Sequence, residues 1–198
     1  MNSLSFSLHI INITRKAHAR ANLILKCFVS RDCATLLKAY VVYVRPLLEY
    51  CSSVWSPTLV QDINAVECVQ RRFTKRLPGM GNLTYFQRLR KLGIESLESR
   101  RLRADLIIVY KILFGLTAVN PSDLFTLSRG TSKGLRGHKY KLERAKCRTN
   151  IVRHNFAFRI VPAWNNLPAD TTNFNSLHSF KLSLKTSYIV QYCTVNFN

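Results

Sequence analysis

Residues 58–79, T-L-V-Q-D-I-N-A-V-E-C-V-Q-R-R-F-T-K-R-L-P-G, decide the fold, because a single helix accounts for their whole pattern. Thr58 and Gln61 have the spacing of a capping box, and Pro78 and Gly79 end the pattern. Apolar residues recur between them at intervals of three and four, as on one helical face: Ile63, Val66, Val69, Phe73 and Leu77. Four basic residues lie on the other side: Arg71, Arg72, Lys75 and Arg76. The stretch therefore predicts an amphipathic helix with a buried face and a cationic face.

Two further helices are predicted before this stretch. The first covers residues 8–28, and the second covers residues 32–55 with Pro46 in its interior. Because proline lacks an N–H and its ring clashes with the preceding turn, Pro46 is expected to kink or divide the second helix, whose apolar stripe ends at Cys51 and Trp55. The residues expected to face the core from the first helix are Leu8, Ile11, Ala17, Ala21, Leu25 and Phe28.

Two more helices are predicted after it, and both have clear ends. Thr84 and Gln87 form a capping box for a short helix that Gly93 closes. Ser96 begins a longer helix that stops at Gly115. Short, capped connections between such helices are typical of a bundle.

The composition changes near residue 120 and divides the chain. Residues 1–118 hold the predicted bundle of about five helices. Residues 119–154 are strongly basic and contain three glycines, which predicts a flexible linker or an irregular hairpin. Two C-terminal helices are predicted within residues 155–190, and the tail, 191–198, has no pattern. The predicted fold class is therefore mainly α.

The charge balance points to a polyanionic partner. The chain has 30 lysine and arginine residues against 10 aspartate and glutamate residues, a formal net charge of +20. A compact body with this surplus repels itself unless a polyanion neutralises it, and nucleic acid is the commonest such partner. An anionic membrane surface would neutralise it as well, but no apolar run is long enough to cross a bilayer, and no membrane partner is expected.

The cysteines and the first residues give no sign of export. No two of the six cysteines form a C-x-x-C pair, and no histidine lies at zinc-finger spacing from them, so no metal site is expected. The apolar residues near Met1 follow no positively charged segment, as a secretory signal would require. An intracellular protein with reduced thiols, nuclear or cytoplasmic and not secreted, is expected.

The carboxylates do not predict an active site. Polymerases hold two metal ions between closely spaced carboxylates. The five aspartates here are well separated, and no phosphate-binding, zinc-protease or hydrolase motif is present. The chain is therefore not expected to be an enzyme by itself, to hold a cofactor or to take a small-molecule substrate.

Successive basic clusters predict a surface that follows a phosphate backbone. The cluster at residues 71–76 is repeated at 88–91, at 100–103 and in the basic segment, with hardly any acid among them. Four aromatic residues near these clusters would suit base stacking, but core positions are the preferred interpretation for them: Tyr85, Phe86, Tyr140 and Phe156. The predicted nucleic-acid-binding residues are Arg71, Arg72, Lys75, Arg76, Arg88, Arg100, Arg101, Arg136, Lys139, Lys141 and Arg148.

A second set of residues is predicted to be structural. Arg45 and Glu49 lie one helical turn apart and are expected to pair in a mostly apolar neighbourhood. Trp55 and Trp164 each stand near the end of a predicted helix, where packing is expected for both indoles. The predicted structural motif is Arg45, Pro46, Glu49, Tyr50, Trp55 and Trp164.

Four blocks of the chain, taken in order, form a distinctive pattern. Residues 44–57 read V-R-P-L-L-E-Y-C-S-S-V-W-S-P, and residues 62–75 read D-I-N-A-V-E-C-V-Q-R-R-F-T-K. Residues 85–101 read Y-F-Q-R-L-R-K-L-G-I-E-S-L-E-S-R-R, and residues 158–168 read F-R-I-V-P-A-W-N-N-L-P. In this order they resemble the region after the palm of jockey-like non-LTR (LINE-type) retrotransposon reverse transcriptases, and the resemblance covers residues 8–186.

The resemblance implies that the chain is the thumb and following region of an RNA-directed DNA polymerase. In that family, helices after the palm grip the template–primer, so RNA and RNA–DNA or DNA duplex are the implied partners, with the palm of the parent polymerase as a further one. The family's Asp-Asp motif, which holds Mg²⁺, and its endonuclease lie N-terminal to the matched region. Met1 is then expected to be an internal methionine, and the chain a truncated copy.

Three other interpretations stay open. A fragment of this kind would polymerise only when a palm is supplied in trans. A stand-alone basic RNA-binding structural protein, ribosomal or organellar, would explain the charge equally well. A degenerate copy without a cellular role would explain the sequence too. The order of the motif blocks favours the nucleic-acid-gripping thumb region.

Overall fold

The structure, a computed structural model, describes residues 5–128, 137–144, 146–147 and 149–194. Within them the secondary structure is helical apart from one antiparallel bridge, Leu127–Leu142. The described residues divide into two units, the first running to Arg101 and including Thr194, the second formed by Leu102–Cys193. The prediction of a mainly α fold is confirmed.

Unit 1 is built on two long helices that pack against each other, α1 (Ser7–Cys27) and α5 (Val60–Lys75). The predicted buried face of α5 is confirmed, since Ile63, Val66, Val69, Phe73 and Leu77 are all buried. The predicted Thr58–Gln61 capping box is wrong. Leu59 takes an extended conformation and is the N-cap, so the helix begins one residue later and no side chain caps it.

The buried face of α1 differs from the predicted one. Leu8 and Ile11 are 71% and 57% exposed, whereas Ile10 is buried. The difference arises because Thr14 lies in the core, where its hydroxyl donates to the Ile10 carbonyl at 2.8 Å. Because the prediction left Thr14 out of the buried set, it assigned the buried face of α1 to Leu8 and Ile11 and not to Ile10. The buried residues of α1 are Ile10, Thr14, Ala17, Ala21, Ile24 and Leu25.

The predicted helix around Pro46 is divided into three: α2 (Cys33–Tyr43), α3 (Arg45–Glu49) and α4 (Ser52–Trp55). Pro46 stands in the first turn of α3, where no intrahelical N–H is required of it. Cys51, between α3 and α4, has a φ of 51° and is exposed. Its predicted place in the apolar stripe is wrong, because the left-handed backbone turns its side chain out of the helical repeat.

The short helix α6 (Tyr85–Leu92) packs on α5 and has both predicted ends. Thr84 and Gln87 form the capping box, and Gly93, with a φ of 64°, closes the helix. A residue with a side chain would be strained at this positive φ. These two signals were therefore sufficient to predict the element.

Helix α7 (Leu97–Leu113) contributes to both units. Leu97 belongs to the core of unit 1, and Leu106, Val109 and Tyr110 belong to the core of unit 2. The packing division therefore lies at Arg101 and not near residue 118, where the composition changes. The cause is that the apolar residues in the second half of α7 are buried with the C-terminal part of the chain.

Unit 2 surrounds an aromatic core that includes Tyr110, Trp164 and Phe180. It contains α8 (Pro121–Leu124), and the predicted C-terminal helices occur as shorter pieces. The Tyr110 and Phe180 rings stack with their centroids 4.6 Å apart. The pieces are α9 (Asn150–His154), α10 (Phe156–Arg159), α11 (Val161–Asn165), α12 (Leu177–Ser183) and α13 (Thr186–Val190).

The described part of the basic segment is an irregular hairpin, one of its two predicted forms. The Ser128 N–H donates to the Lys141 carbonyl at 2.9 Å, and the Glu143 N–H donates to the Thr126 carbonyl at 2.8 Å. Leu142 is buried in the core of unit 2. The two described ends of this segment are therefore joined to each other by backbone hydrogen bonds, and Leu142 fixes one of them to the core of unit 2.

Trp164 and Asn165 hold this hairpin in place. The Trp164 indole N–H donates to the Tyr140 carbonyl at 2.7 Å, and His138 Nε2 is 2.8 Å from the Trp164 carbonyl oxygen. The Asn165 side chain makes two bonds to the backbone of Leu142: its Oδ1 accepts from the N–H and its Nδ2 donates to the carbonyl, both at 2.8 Å. The amide thus takes the place of a neighbouring strand.

Candidate nucleic-acid interface

The predicted cationic face of α5 forms one wall of a groove in unit 1. Arg72, Lys75 and Arg76 are exposed on it, and His18 and Asn22 of α1 line the same groove. The groove has a volume of about 380 Å³. It exists because α1 and α5 pack through small and apolar side chains, Ala21 and Val69 among them, which leaves their longer polar side chains at the rim.

The charges in this groove have no carboxylate partner among the described residues. In the part of the chain that the structure describes, no carboxylate pairs with Arg72, Lys75 or Arg76. Arg76 Nη1 donates to Asn22 Oδ1 at 2.6 Å, a neutral partner that orients the guanidinium and leaves its charge. Burial, and then the positive charge of Arg72, lower the pKa of His18. The groove therefore has a positive potential and suits an anion.

Arg71 differs from its three neighbours. It is half-buried, and its guanidinium lies over the Tyr85 ring, 5.2 Å from the ring centroid. The Tyr85 hydroxyl in turn donates to the buried Glu67 carboxylate. Arg71 thus covers a buried network, and the groove side of α5 is formed by the other three cations.

Two predicted contacts are corrected by burial. Arg88 is 4% exposed and donates to Thr74 Oγ1 at 3.2 Å and to the Leu83 carbonyl, so its guanidinium is used inside unit 1. Arg101 is 3% exposed, and its charge lowers the pKa of Glu67 against the larger effect of burial. Neither side chain presents its charge to a phosphate. Basic residues at surface-like spacing had suggested otherwise, since the spacing does not reveal buried carbonyl and carboxylate acceptors.

Arg100 is paired with a carboxylate. Its Nε and Nη2 donate to the two oxygens of Glu49, the second at 3.0 Å. The predicted pair of Arg45 and Glu49 is confirmed, with 3.7 Å between Arg45 Nε and Glu49 Oε1. Arg100 therefore joins a structural cluster, and its predicted role as a phosphate contact is corrected because a bidentate carboxylate already occupies the guanidinium.

The remaining predicted contacts belong to the basic segment. Lys139 is exposed, and its Nζ lies 5.1 Å from the centroid of the Tyr140 ring. Lys141 is half-buried and packs close to Gly137, whose φ is 116°. Arg136 and Arg148 lie outside the described residues.

Most of the aromatic residues serve the core, as the preferred interpretation holds. Tyr140 and Phe156 pack against the core of unit 2, and burial raises the pKa of Tyr85 in unit 1. Phe86 is the exception, since it is 54% exposed on α6.

Both tryptophans are buried packing anchors, and the Trp55 indole donates to the Tyr50 carbonyl at 2.8 Å. This contact uses only the backbone of Tyr50, whose side chain is 79% exposed, so the prediction of a structural role for that side chain is not supported.

Three of the five aspartates make structural contacts. Asp32 accepts from the Thr35 N–H as the N-cap of α2, Asp62 accepts from Ser7, and Asp105 pairs with Arg159 at 2.9 Å. Across the described ranges, no three His, Cys, Asp or Glu side chains are grouped as a metal site would require. The six cysteines are free thiols. A search of the helices in the same ranges finds none with the length and apolarity of a membrane span.

Sequence reasoning did not identify His18 or Asn22 as groove residues. Both lie on α1, far from the basic clusters in sequence, and only the packing of α1 on α5 brings them to Arg72 and Arg76. A partial signal was available: residues 7–27 contain no acidic side chain, so α1 offers nothing that would neutralise a neighbouring cationic face.

Comparisons with known proteins provide one distant relative. No family model matches the chain, and no solved structure matches it. The chain is 28% identical over 115 residues to an uncharacterized protein of Caenorhabditis elegans, B0403.1. The aligned part covers 57% of this chain and 58% of that protein, so the chain spans little more than half of the relative's length. The name of that protein states no activity.

Proposed function

We propose that this chain is a nucleic-acid-binding thumb region of a jockey-like non-LTR retrotransposon reverse transcriptase. It grips RNA or an RNA–DNA duplex through phosphate contacts. It contains no polymerase active site of its own, and the Mg²⁺ of catalysis belongs to the palm of the parent enzyme. The fold supports this proposal to the extent that the region of the motif blocks between residues 44 and 101 is helical.

The observation that carries the proposal is the groove between α1 and α5. Three exposed cations line it without a carboxylate partner among the described residues, and the lowered pKa of His18 reflects both burial and the charge of Arg72. Phosphates of a nucleic-acid backbone would neutralise these charges and release counterions. Such contacts carry no sequence code, as suits a region that holds any template.

The first test removes the three groove cations. The variant is the full chain with Arg72→Gln, Lys75→Gln and Arg76→Gln, and we expect it to bind RNA–DNA duplex more weakly. The slope of log affinity against log salt should become smaller by about 2–3, since each neutralised phosphate contributes about 0.7–0.9 to it. Fluorescence anisotropy with a labelled duplex, repeated over a series of salt concentrations, measures both quantities. Circular dichroism should show unchanged helix content, because these side chains are exposed.

A matched control separates the groove from the general charge of the chain. Arg15, Lys16 and Lys38 are exposed cations of unit 1 that do not line the groove. Replacing these three with Gln removes the same charge and should change the salt slope by less. Equal losses in the two variants would contradict the proposed interface, because they would mean that binding depends on net charge alone.

The retrotransposon origin has its own test. The genomic DNA upstream of the gene is expected to encode an Asp-Asp palm, in frame or interrupted. Upstream DNA without any trace of a palm would contradict this part of the proposal. DNA synthesis on a primed RNA template with Mg²⁺ and the chain alone would contradict the absence of an active site.

A further inference from the structure

A second basic groove lies within unit 2. It has a volume of about 610 Å³, larger than the groove of unit 1, and residues between 144 and 162 line it. Its rim carries Arg144, Lys146 and Arg153, all exposed, with His154 beside them. Arg153 and His154 form the last turn of α9, where the carbonyl ends of a helix favour positive charge.

The charges of this rim are available to a ligand. Among the described residues that line the groove there is no aspartate or glutamate. In the part of the chain that the structure describes, Arg144, Lys146 and Arg153 make no ion pair with a carboxylate. Arg159 also lines the groove, but it is anchored to the buried Asp105 at 2.9 Å and so forms part of the wall. An anionic ligand would therefore meet three exposed cations beside a fourth that is already paired.

The groove also has an apolar part, which a site for free phosphate would not need. Phe158 and Pro162 line it, and both are partly exposed. A nucleotide has a π-face as well as a phosphate, and an aromatic side chain beside a cationic track is the usual arrangement for binding unpaired bases. A duplex hides the faces of its bases by stacking them, so Phe158 would find no partner in one.

We infer that the groove of unit 2 binds single-stranded nucleic acid, with phosphates on Arg144, Lys146 and Arg153 and a base against Phe158. The inference rests on the proposed function only in taking nucleic acid as the polyanion. It adds a second site with a different preference. The groove of unit 1 has three cations at its rim, and the Phe73 ring that also lines it is buried, so this groove suits a duplex backbone. The groove of unit 2 combines its cations with the partly exposed ring of Phe158.

The experiment compares a single-stranded oligouridylate with an RNA–DNA duplex as probes for the full chain. We expect Arg144→Gln, Lys146→Gln and Arg153→Gln together to weaken oligouridylate binding, and to lower its salt slope by about 2, since each phosphate contact on a single strand contributes about 0.7. Duplex binding should change less. The matched control is Lys111→Gln, Lys181→Gln and Lys185→Gln, which removes the same charge from unit 2 outside the groove.

Phe158→Leu tests the base contact apart from charge. Leucine keeps an apolar side chain at a position packed against the core but has no π-face. We expect a loss of about tenfold in oligouridylate affinity, the lower part of the range for one stacked base, and no loss in duplex affinity. Thermal unfolding identifies a variant that fails to fold, and Phe158→Tyr, which keeps the ring, should restore binding.

Four results would overturn the inference. In the first two, the groove variant loses as much oligouridylate affinity as its charge-matched control, or its oligouridylate affinity is unchanged. In the third, Phe158→Leu loses single-strand affinity and duplex affinity equally. In the fourth, the chain binds vesicles of anionic lipid more tightly than oligouridylate. The last would assign the groove to a membrane surface. If the unit 1 variant binds duplex as tightly as the unchanged chain, the proposed function is contradicted. The tests of the unit 2 groove can still be interpreted in that case, because the two triple variants share no residue.

Discussion

The carboxylate of Glu67 is fully buried in unit 1, where it serves as the acceptor for the start of α7. Its oxygens accept from the backbone N–H groups of Leu97 at 3.1 Å and Glu98 at 3.3 Å, and from the Tyr85 hydroxyl. A helix begins with N–H groups that have no partner in the helix, and a carboxylate there is favourable. Burial nevertheless dominates, and the pKa of Glu67 is raised above its ordinary value.

The raised pKa of Glu67 predicts a pH dependence of stability. Between the ordinary pKa and the higher one in the fold, the folded protein binds more protons than the unfolded chain, so the free energy of unfolding falls as pH rises through that window. Glu67→Gln should remove this decline, whereas Glu143→Gln, at an exposed position of unit 2, should keep it. Urea unfolding at several pH values measures the effect, and a decline that persists in Glu67→Gln would contradict it.

Some of the cationic positions could be predicted from the sequence, and others could not. The cationic positions Arg72, Lys75 and Arg76 were predictable, because their spacing against an apolar face leaves them only the surface. Arg88 and Arg101 were not predictable, because their burial depends on acceptors from other elements, such as the Leu83 carbonyl and Glu67. The sequence shows an arginine in both cases, whether its guanidinium faces water or a buried carbonyl.

At the scale of elements, helix ends closed by glycine were predictable, whereas the start of α5 and the buried face of α1 were not. Gly93 and Gly115 take positive φ values and end α6 and α7 as expected, since local backbone geometry alone determines them. The face of α1 depends on Thr14, whose hydroxyl is satisfied within its own helix and can therefore be buried. The division around Pro46 was expected, but the left-handed Cys51 was not, because cysteine rarely takes that conformation.

The connection between α3 and α4 predicts a stabilising substitution. A left-handed conformation costs a residue with a Cβ about 1–2 kcal/mol, and glycine avoids this cost but loses about 0.4–1 kcal/mol through the entropy of the unfolded chain. Cys51 is exposed, so Cys51→Gly sacrifices no packing and should raise the free energy of unfolding by roughly 0.5–1 kcal/mol. Chemical denaturation measures the change.

Cys51→Ala is the matched control for this substitution, since alanine removes the thiol and keeps the Cβ. It should give no comparable gain. A gain of the same size in both variants would mean that the thiol, and not the backbone conformation, is the source of the cost.

The whole molecule carries far more positive than negative charge on two separately packed units. Composition predicted a polyanionic partner, because net charge is a sum over the chain and requires no coordinates. The place of the division within α7 was not predictable in this way. It follows from which apolar side chains are buried together, and Leu97 and Leu106 of the same helix belong to different cores.

This charge predicts that ligands and salt both affect stability. A net charge of +20 repels itself, so sodium chloride should raise the melting temperature modestly by screening. RNA at low salt should raise it further, because a ligand that binds the folded state stabilises it, and the added effect of RNA should shrink as salt increases. Thermal unfolding with RNA, and with the uncharged polymer dextran as control, measures this. Equal shifts with RNA and dextran would contradict the electrostatic explanation.

The two hydrogen bonds between the Asn165 side chain and the Leu142 backbone make unit 2 sensitive to spontaneous chemical change at this asparagine. Spontaneous deamidation would convert this amide to a carboxylate, and its second oxygen would then face the Leu142 carbonyl where a donor stood before. The neighbouring Asn166 is exposed, so the same reaction there would leave the hairpin attached. Ageing at alkaline pH would thus replace one attractive contact of the hairpin with a repulsive one, while the contacts of Trp164 with Tyr140 and His138 would still hold it.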